Sequence, residues 1–157
     1  MVETLAPKWT PRGLMQRFRE VVREPGDLRL CVHIAAFIHR APSLLSASDL
    51  RSFVERLRLQ PVPRAEYERI KRIRTFLLGR RIFARANTCY VRALTLYRYL
   101  DAPDASLGFH IGIERRDRAS DRLHGHAWVT IQGRMLEGPP AALQGRVREI
   151  DFLKAAP

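Results

Sequence analysis

Cys89, His126 and Glu137 are the side chains of this chain whose types and spacing could together carry nucleophilic chemistry. A thiol becomes a nucleophile once a nearby imidazole takes its proton. A carboxylate behind the imidazole fixes the ring and steadies the imidazolium, which later protonates the leaving amine. Residues 87–100 read NTCYVRALTLYRYL, a helix pattern in which Thr88 is a good N-cap and Cys89 the first helical residue. The first N–H groups of a helix lack intrahelical acceptors and, with the macrodipole, favour a negative charge such as a thiolate. No Asp or Glu in that first turn competes for the field. Ala93, Leu96 and Leu100 follow Cys89 at +4, +7 and +11, so the sulfur lies on the core-facing stripe and would point into a cleft. The N–H of Cys89 is a candidate oxyanion donor. The competing reading is a small buried cysteine in an ordinary amphipathic helix.

His126 sits in HGHAWVTI, residues 124–131, which alternates as a strand does. Ala127, Val129 and Ile131 fall on one face, and His126, Trp128 and Thr130 on the other. Gln132-Gly133 reads as a two-residue hairpin turn. That turn would place Glu137 opposite Trp128, on the face of His126 and one diagonal step from it, about 7–8 Å between backbones. A three-residue loop would put Glu137 on the wrong face. His124 shares the His126 face and rivals it for the role, and Gly125 between them can bend the strand and change that parity. A zinc site drawn from His124, His126, Cys89 and His110 is conceivable, but no CxxC pair, HExxH or second acidic ligand accompanies them. Neither a metal nor another cofactor is expected.

The elements that must hold these groups are read from periodicity and punctuation. A helix over Leu14–Val22 ends at Pro25-Gly26, and a second, apolar one begins at Asp27 and runs towards Pro42. Ser46 or Ser48 would cap a third helix carrying Leu50, Phe53, Val54, Leu57 and Leu59. A fourth spans Arg64–Leu78, with Gly79 suited to its C-terminus. Its basic side, with Arg69, Lys71, Arg72 and Arg74, reads as solvated surface or as a docking surface. After Pro103 the period changes to that of strands: Leu107–Glu114, Leu123–Ile131 and Arg134–Glu137. Val147–Leu153 fits either a last strand or a short helix. Helices first and an antiparallel sheet after them argue for an α+β fold. The expected organisation is one domain over 1–157, in which a helical half (residues 1–86) packs on a Cys-helix and sheet half (residues 87–157).

At 157 residues the chain can bury a core without disulfides, and two cysteines make no disulfide framework; Cys31 reads as core. The N-terminus lacks a signal-peptide pattern and no apolar run approaches ~20 residues, so a cytoplasmic protein with no membrane partner is expected. The net charge is +12, with 18 basic and 8 acidic residues in 1–86 against 10 and 8 in 87–157. Such asymmetry suits an acidic peptide or an acidic protein. Only three of the 28 basic residues are Lys, which points to an Arg-rich coding bias, and nucleic acid is not the expected partner.

NTCYVRALTLYRYL, then LGFHIGIERR, then LHGHAWVTIQGRMLEG resemble the core of the transglutaminase-like cysteine peptidases of lasso-peptide biosynthesis. The resembling stretch runs from about Asn87 to Glu137, and the His-Ala-Trp-Val run before a Gly turn is its most specific element. The resemblance implies a papain- or transglutaminase-like core with Cys89 as nucleophile and His126 as general base. It implies removal of the leader from a ribosomally made precursor peptide. It also implies two protein partners: a winged-helix leader-recognition protein, here separate, and an asparagine-synthetase-like cyclase that closes the ring. The acid departs from the family pattern, which usually has Asp where this chain has Glu137. Asp151, Asp121 or a bare Cys-His dyad are the alternatives.

Overall fold

A computed structural model describes residues 11–47, 49–114, 124–138 and 147–153. Among the described residues, five α-helices precede the sheet: α1 (Pro11–Val21), α2 (Asp27–Ala47), α3 (Leu50–Leu57), α4 (Tyr67–Leu78) and α5 (Cys89–Tyr99). Short 3-10 turns at Arg81–Ala86 and Asp104–Ser106 flank α5. Four strands follow: β1 (Leu107–Glu114), β2 (His124–Ile131), β3 (Arg134–Glu137) and β4 (Val147–Leu153), in the antiparallel order β3-β2-β1-β4. The fold is α+β. Residues 147–153, which fit strand or helix by pattern, pair with β1 on the side away from β2.

One apolar core joins the helices to the sheet. Ile34 and Ile38 of α2, Val54 of α3, Ile70 and Ile73 of α4, Leu94 and Leu96 of α5, Phe109 of β1 and Val129 of β2 are fully buried in a single cluster. Cys31 is buried there too. The interleaving is what an apolar stripe on each helix and one apolar face of the sheet require.

Local chemistry moved several boundaries. The cap of α3 is neither Ser46 nor Ser48 but Asp49, whose carboxylate accepts from the Ser52 N–H at 3.0 Å. Helix α2 continues through Pro42, giving up a donor there while Ala41 stays fully buried. Helix α4 starts at Tyr67 rather than Arg64 because Ala65 makes a parallel bridge to Leu100. Its N–H donates to the Tyr99 carbonyl, and its own carbonyl accepts from the Asp101 N–H, both at 2.9 Å.

The arginines of α4 are paired within the fold, Arg74 buried and Arg69 and Arg72 half-buried. Asp27, fully buried, accepts from the N–H groups of Arg23 (2.9 Å) and Glu24 (2.8 Å), from Arg69, and from Arg72 at 3.2 Å. Burial alone would raise the Asp27 pKa. The Glu24 N–H, the Arg69 guanidinium and the Arg23 N–H outweigh it and hold the carboxyl below the usual aspartate range. A lowered native pKa contributes stability above the unfolded value, about pH 4, that is lost as pH falls through the native one. Asp27→Asn is therefore expected to cost about 2 kcal/mol at neutral pH, less as the solution is acidified. Urea unfolding at neutral and acidic pH measures both.

Candidate active site

Helix α5 is fixed at both ends. Thr88 adopts an extended backbone and its Oγ1 accepts from the Val91 N–H at 3.3 Å, which makes Cys89 the first helical residue. Among the described residues, the N–H groups of Cys89 and Tyr90 have no backbone acceptor. At the other end, Arg58 is buried and donates to the carbonyls of Tyr97 (3.0 Å), Leu100 (2.8 Å) and Ala102 (2.7 Å), while also binding Asp104. A guanidinium on the last carbonyls is electrostatically favourable at a helix C-terminus. Ala93, Leu96 and Leu100, on the stripe below Cys89, are buried.

Helix α5 packs on β2 and β1. Cys89 is half-buried, and its thiol donates to the carbonyl of Gly125 at 3.5 Å, one residue before His126. The packing is close. A Cβ on Gly125 would stand 2.2 Å from the Tyr90 hydroxyl oxygen, so glycine lets β2 approach the first turn of α5. Burial pushes the Tyr90 hydroxyl pKa up and an ionised Cys89 adds to it, which keeps the phenol a neutral donor beside the sulfur. Gly125→Ala should therefore displace either Tyr90 or β2 and lower any Cys89-dependent turnover on the order of a hundredfold. Adding Tyr90→Phe should restore part of it, which turnover assays on the single and double variants would measure.

Cys89, His126 and Glu137 line one cavity of about 230 Å³, together with Asn87, Arg92 and Trp128. Pairing of β2 with β3 ends at Val129, and the cavity lies beside the stretch of β2 before it. No hydrogen bond joins the three to one another; catalytic hydrogen bonds of an unliganded site often close only when substrate binds. The His126 ring instead meets the Trp128 indole, with centroids 6.5 Å apart, and Trp128 in turn stacks on His110 at 5.5 Å.

Glu137 does not occupy the register expected for it. Gln132 (φ 50) and Gly133 (φ 75) form the two-residue turn, and Ile131↔Arg134 and Thr130↔Met135 pair as that turn dictates. A bulge then brings Glu137 opposite Val129 instead of Trp128, which moves it off the His126 face. Its Oε1 accepts from Arg74, buried on α4, and from the Tyr67 hydroxyl at 3.2 Å. Burial first, and the Glu137 charge next, push the Tyr67 pKa up, so that phenol remains a donor. The carboxylate thus ties β3 to α4.

Asp151 pairs in register with His110, on the strand beyond β1, and Asp121 lies outside the described residues. His124 begins β2 opposite Glu114. Among the described residues no three His, Cys, Asp or Glu side chains cluster as metal ligands would.

Asn87, Arg92 and Trp128 lie in the two stretches read for Cys89 and His126, but none of the three is singled out there as a site residue. Arg92 stands one turn after Cys89, a spacing that puts two residues on neighbouring helix positions, and its guanidinium donates to Asn87 Oδ1 at 2.8 and 3.0 Å. That periodicity could have found it.

The first residue of α5 is thus a thiol set against a histidine-bearing interior strand of an antiparallel sheet. The sequence pattern of the transglutaminase-like superfamily matches residues 28–149, and the chain belongs to that superfamily, whose members are typically cysteine peptidases or acyl transferases. The match begins in α2 and ends in β4, so it takes in four of the five helices as well as the site. No curated protein and no solved structure matches the chain.

Proposed function

We propose that the protein is a cytoplasmic cysteine peptidase that removes the leader from a ribosomally synthesised lasso-peptide precursor. The observation that carries the proposal is the cavity that Cys89 and His126 share, with Cys89 on the first turn of α5. The HAWV run and the NTCYVRAL segment supply the narrower family resemblance. Among the described residues, no helix is long and apolar enough to cross a membrane.

In this reading His126 takes the Cys89 proton and the thiolate attacks the scissile carbonyl carbon. The unpaired N–H groups of Cys89 and Tyr90 receive the developing oxyanion. The C–N bond breaks as the His126 imidazolium protonates the leaving amine, leaving a thioester on Cys89. Water, deprotonated by His126, then attacks the thioester and releases the leader carboxylate and the thiol. The carboxylate of Glu137 is committed to Arg74 and Tyr67, so a Cys89–His126 dyad carries the chemistry, with Trp128 packed against the imidazole. A separate winged-helix protein presents the leader, and an asparagine-synthetase-like cyclase uses the freed core amine.

Incubating the protein with its precursor and recognition protein, and weighing the products by mass spectrometry, tests this directly. Two fragments whose masses sum to the precursor plus one water are expected. A product heavier by a second amine, with no water gained, would make the enzyme an acyl transferase. Unchanged function in Cys89→Ala would make it a binding adaptor.

A further inference from the structure

A second cavity, of about 560 Å³, lies among the helices, between α2, α3 and the C-terminal end of α5. Phe37, Phe53 and Leu57, each nearly buried, and Leu44, which is exposed, supply its apolar lining. Arg40, Arg56 and Arg98 also line it, and among the described residues no Asp or Glu does.

These arginines differ from others in the helical half. Arg58, Arg64, Arg69, Arg72 and Arg74 all have carboxylate partners within the fold. Arg40 and Arg56 have no ion pair among the described residues, and both are exposed. Arg98 donates from Nη2 to Gln60 at 2.8 Å, while its Nε is buried with no acceptor. The aromatic rings of the cavity are poorly placed to stack a nucleobase, because Arg98 already lies over Phe37 at 5.2 Å and over Tyr99 at 5.7 Å. Uncompensated positive charge around an apolar floor matches carboxylates flanking an apolar side chain.

We infer that this groove is an exosite for a peptide segment carrying Asp or Glu beside a Leu- or Phe-type side chain, a segment of the peptide substrate. The inference rests on the peptidase reading for its occupant. Arg98 lies nine residues after Cys89 on α5, about 14 Å along the helix axis. The docked segment is therefore at least about four extended residues from the bond that is cut. The apolar side chain enters between Phe37, Leu44 and Phe53, and the carboxylates bind the guanidinium groups of Arg40, Arg56 and Arg98.

Binding of short fluorescein-labelled peptides to the Cys89→Ala protein, followed by anisotropy, tests the inference without turnover. The first peptide carries interspersed Glu and Leu; a second has Gln for Glu, a third Ser for Leu, and a single-stranded RNA serves as the rival polyanion. The Glu/Leu peptide should bind best and weaken with added NaCl. Arg40→Glu/Arg56→Glu, at exposed positions, should weaken it on the order of tenfold or more with thermal stability retained. In the Cys89-intact protein the same double variant should leave cleavage of a short peptide lacking the acidic segment unchanged. Equal binding of all peptides, insensitivity to the double variant, or preference for RNA would overturn the exosite. Groove-dependent binding without cleavage by the wild-type protein would instead remove the peptidase reading and leave the groove a peptide site.

Discussion

His126→Ala should lower precursor cleavage on the order of 10³-fold, and Cys89→Ala should abolish it. The two residues line one cavity, and in the proposed cycle neither acts without the other. Their effects are accordingly non-additive, and the double variant should be no worse than Cys89→Ala alone. At neutral pH, alkylation of Cys89 by iodoacetamide should slow in His126→Ala, because the imidazole no longer receives the proton. His124→Ala should retain most of the activity. A dead His124→Ala enzyme beside an active His126→Ala one would assign the base to the other histidine. Mass spectrometry of timed reactions separates these outcomes.

The second large effect concerns Arg74. Its side chain is 5% exposed, and it donates to Glu137 and, at 3.1 Å, to the carbonyl of Arg92 on α5. It therefore links α4, α5 and β3 around the floor of the cavity. Arg74→Met removes the cation and strands both acceptors, so a loss of about 3 kcal/mol in unfolding free energy is expected. Glu137→Gln keeps an oxygen for Arg74 and Tyr67 and should cost about 1 kcal/mol. If Glu137 serves as a tether, Glu137→Gln also leaves kcat within a few-fold of wild type. A loss of kcat on the order of 10²-fold or more with stability retained would instead make it the group that orients His126.

These features differ in how far they could be read from the chain alone. The start of α5 was legible because capping is local: Thr88 and its N–H partner Val91 are three residues apart. The strand boundaries of β1 and β3 were legible from period-two alternation, and the turn from Gln132-Gly133. The placement of Glu137 was not, because one extra residue at a bulge reverses every face beyond it. The bulge accompanies contacts to Arg74 and Tyr67, which lie more than sixty residues earlier and leave no local mark. The basic character of α4 misled for the same reason. Its arginines look like a solvated or docking face, yet Asp27 and Glu137 neutralise Arg69, Arg72 and Arg74 from distant elements. Arg40, Arg56 and Arg98, for which no carboxylate partner is found among the described residues, are brought together only by the packing of α2, α3 and α5. The superfamily match over residues 28–149 takes in α2 to α5 together with the strands that carry the site.

The central claim is that the Cys89 sulfur becomes acylated by the peptide. Rapid quenching of the wild-type protein with precursor and recognition protein, in acid to preserve thioesters, followed by peptide mapping, measures it most directly. The expected result is a leader acyl group on the peptide containing Cys89, absent from His126→Ala at the same early times. An unmodified Cys89 throughout turnover, or cleavage that persists in Cys89→Ala, would contradict it.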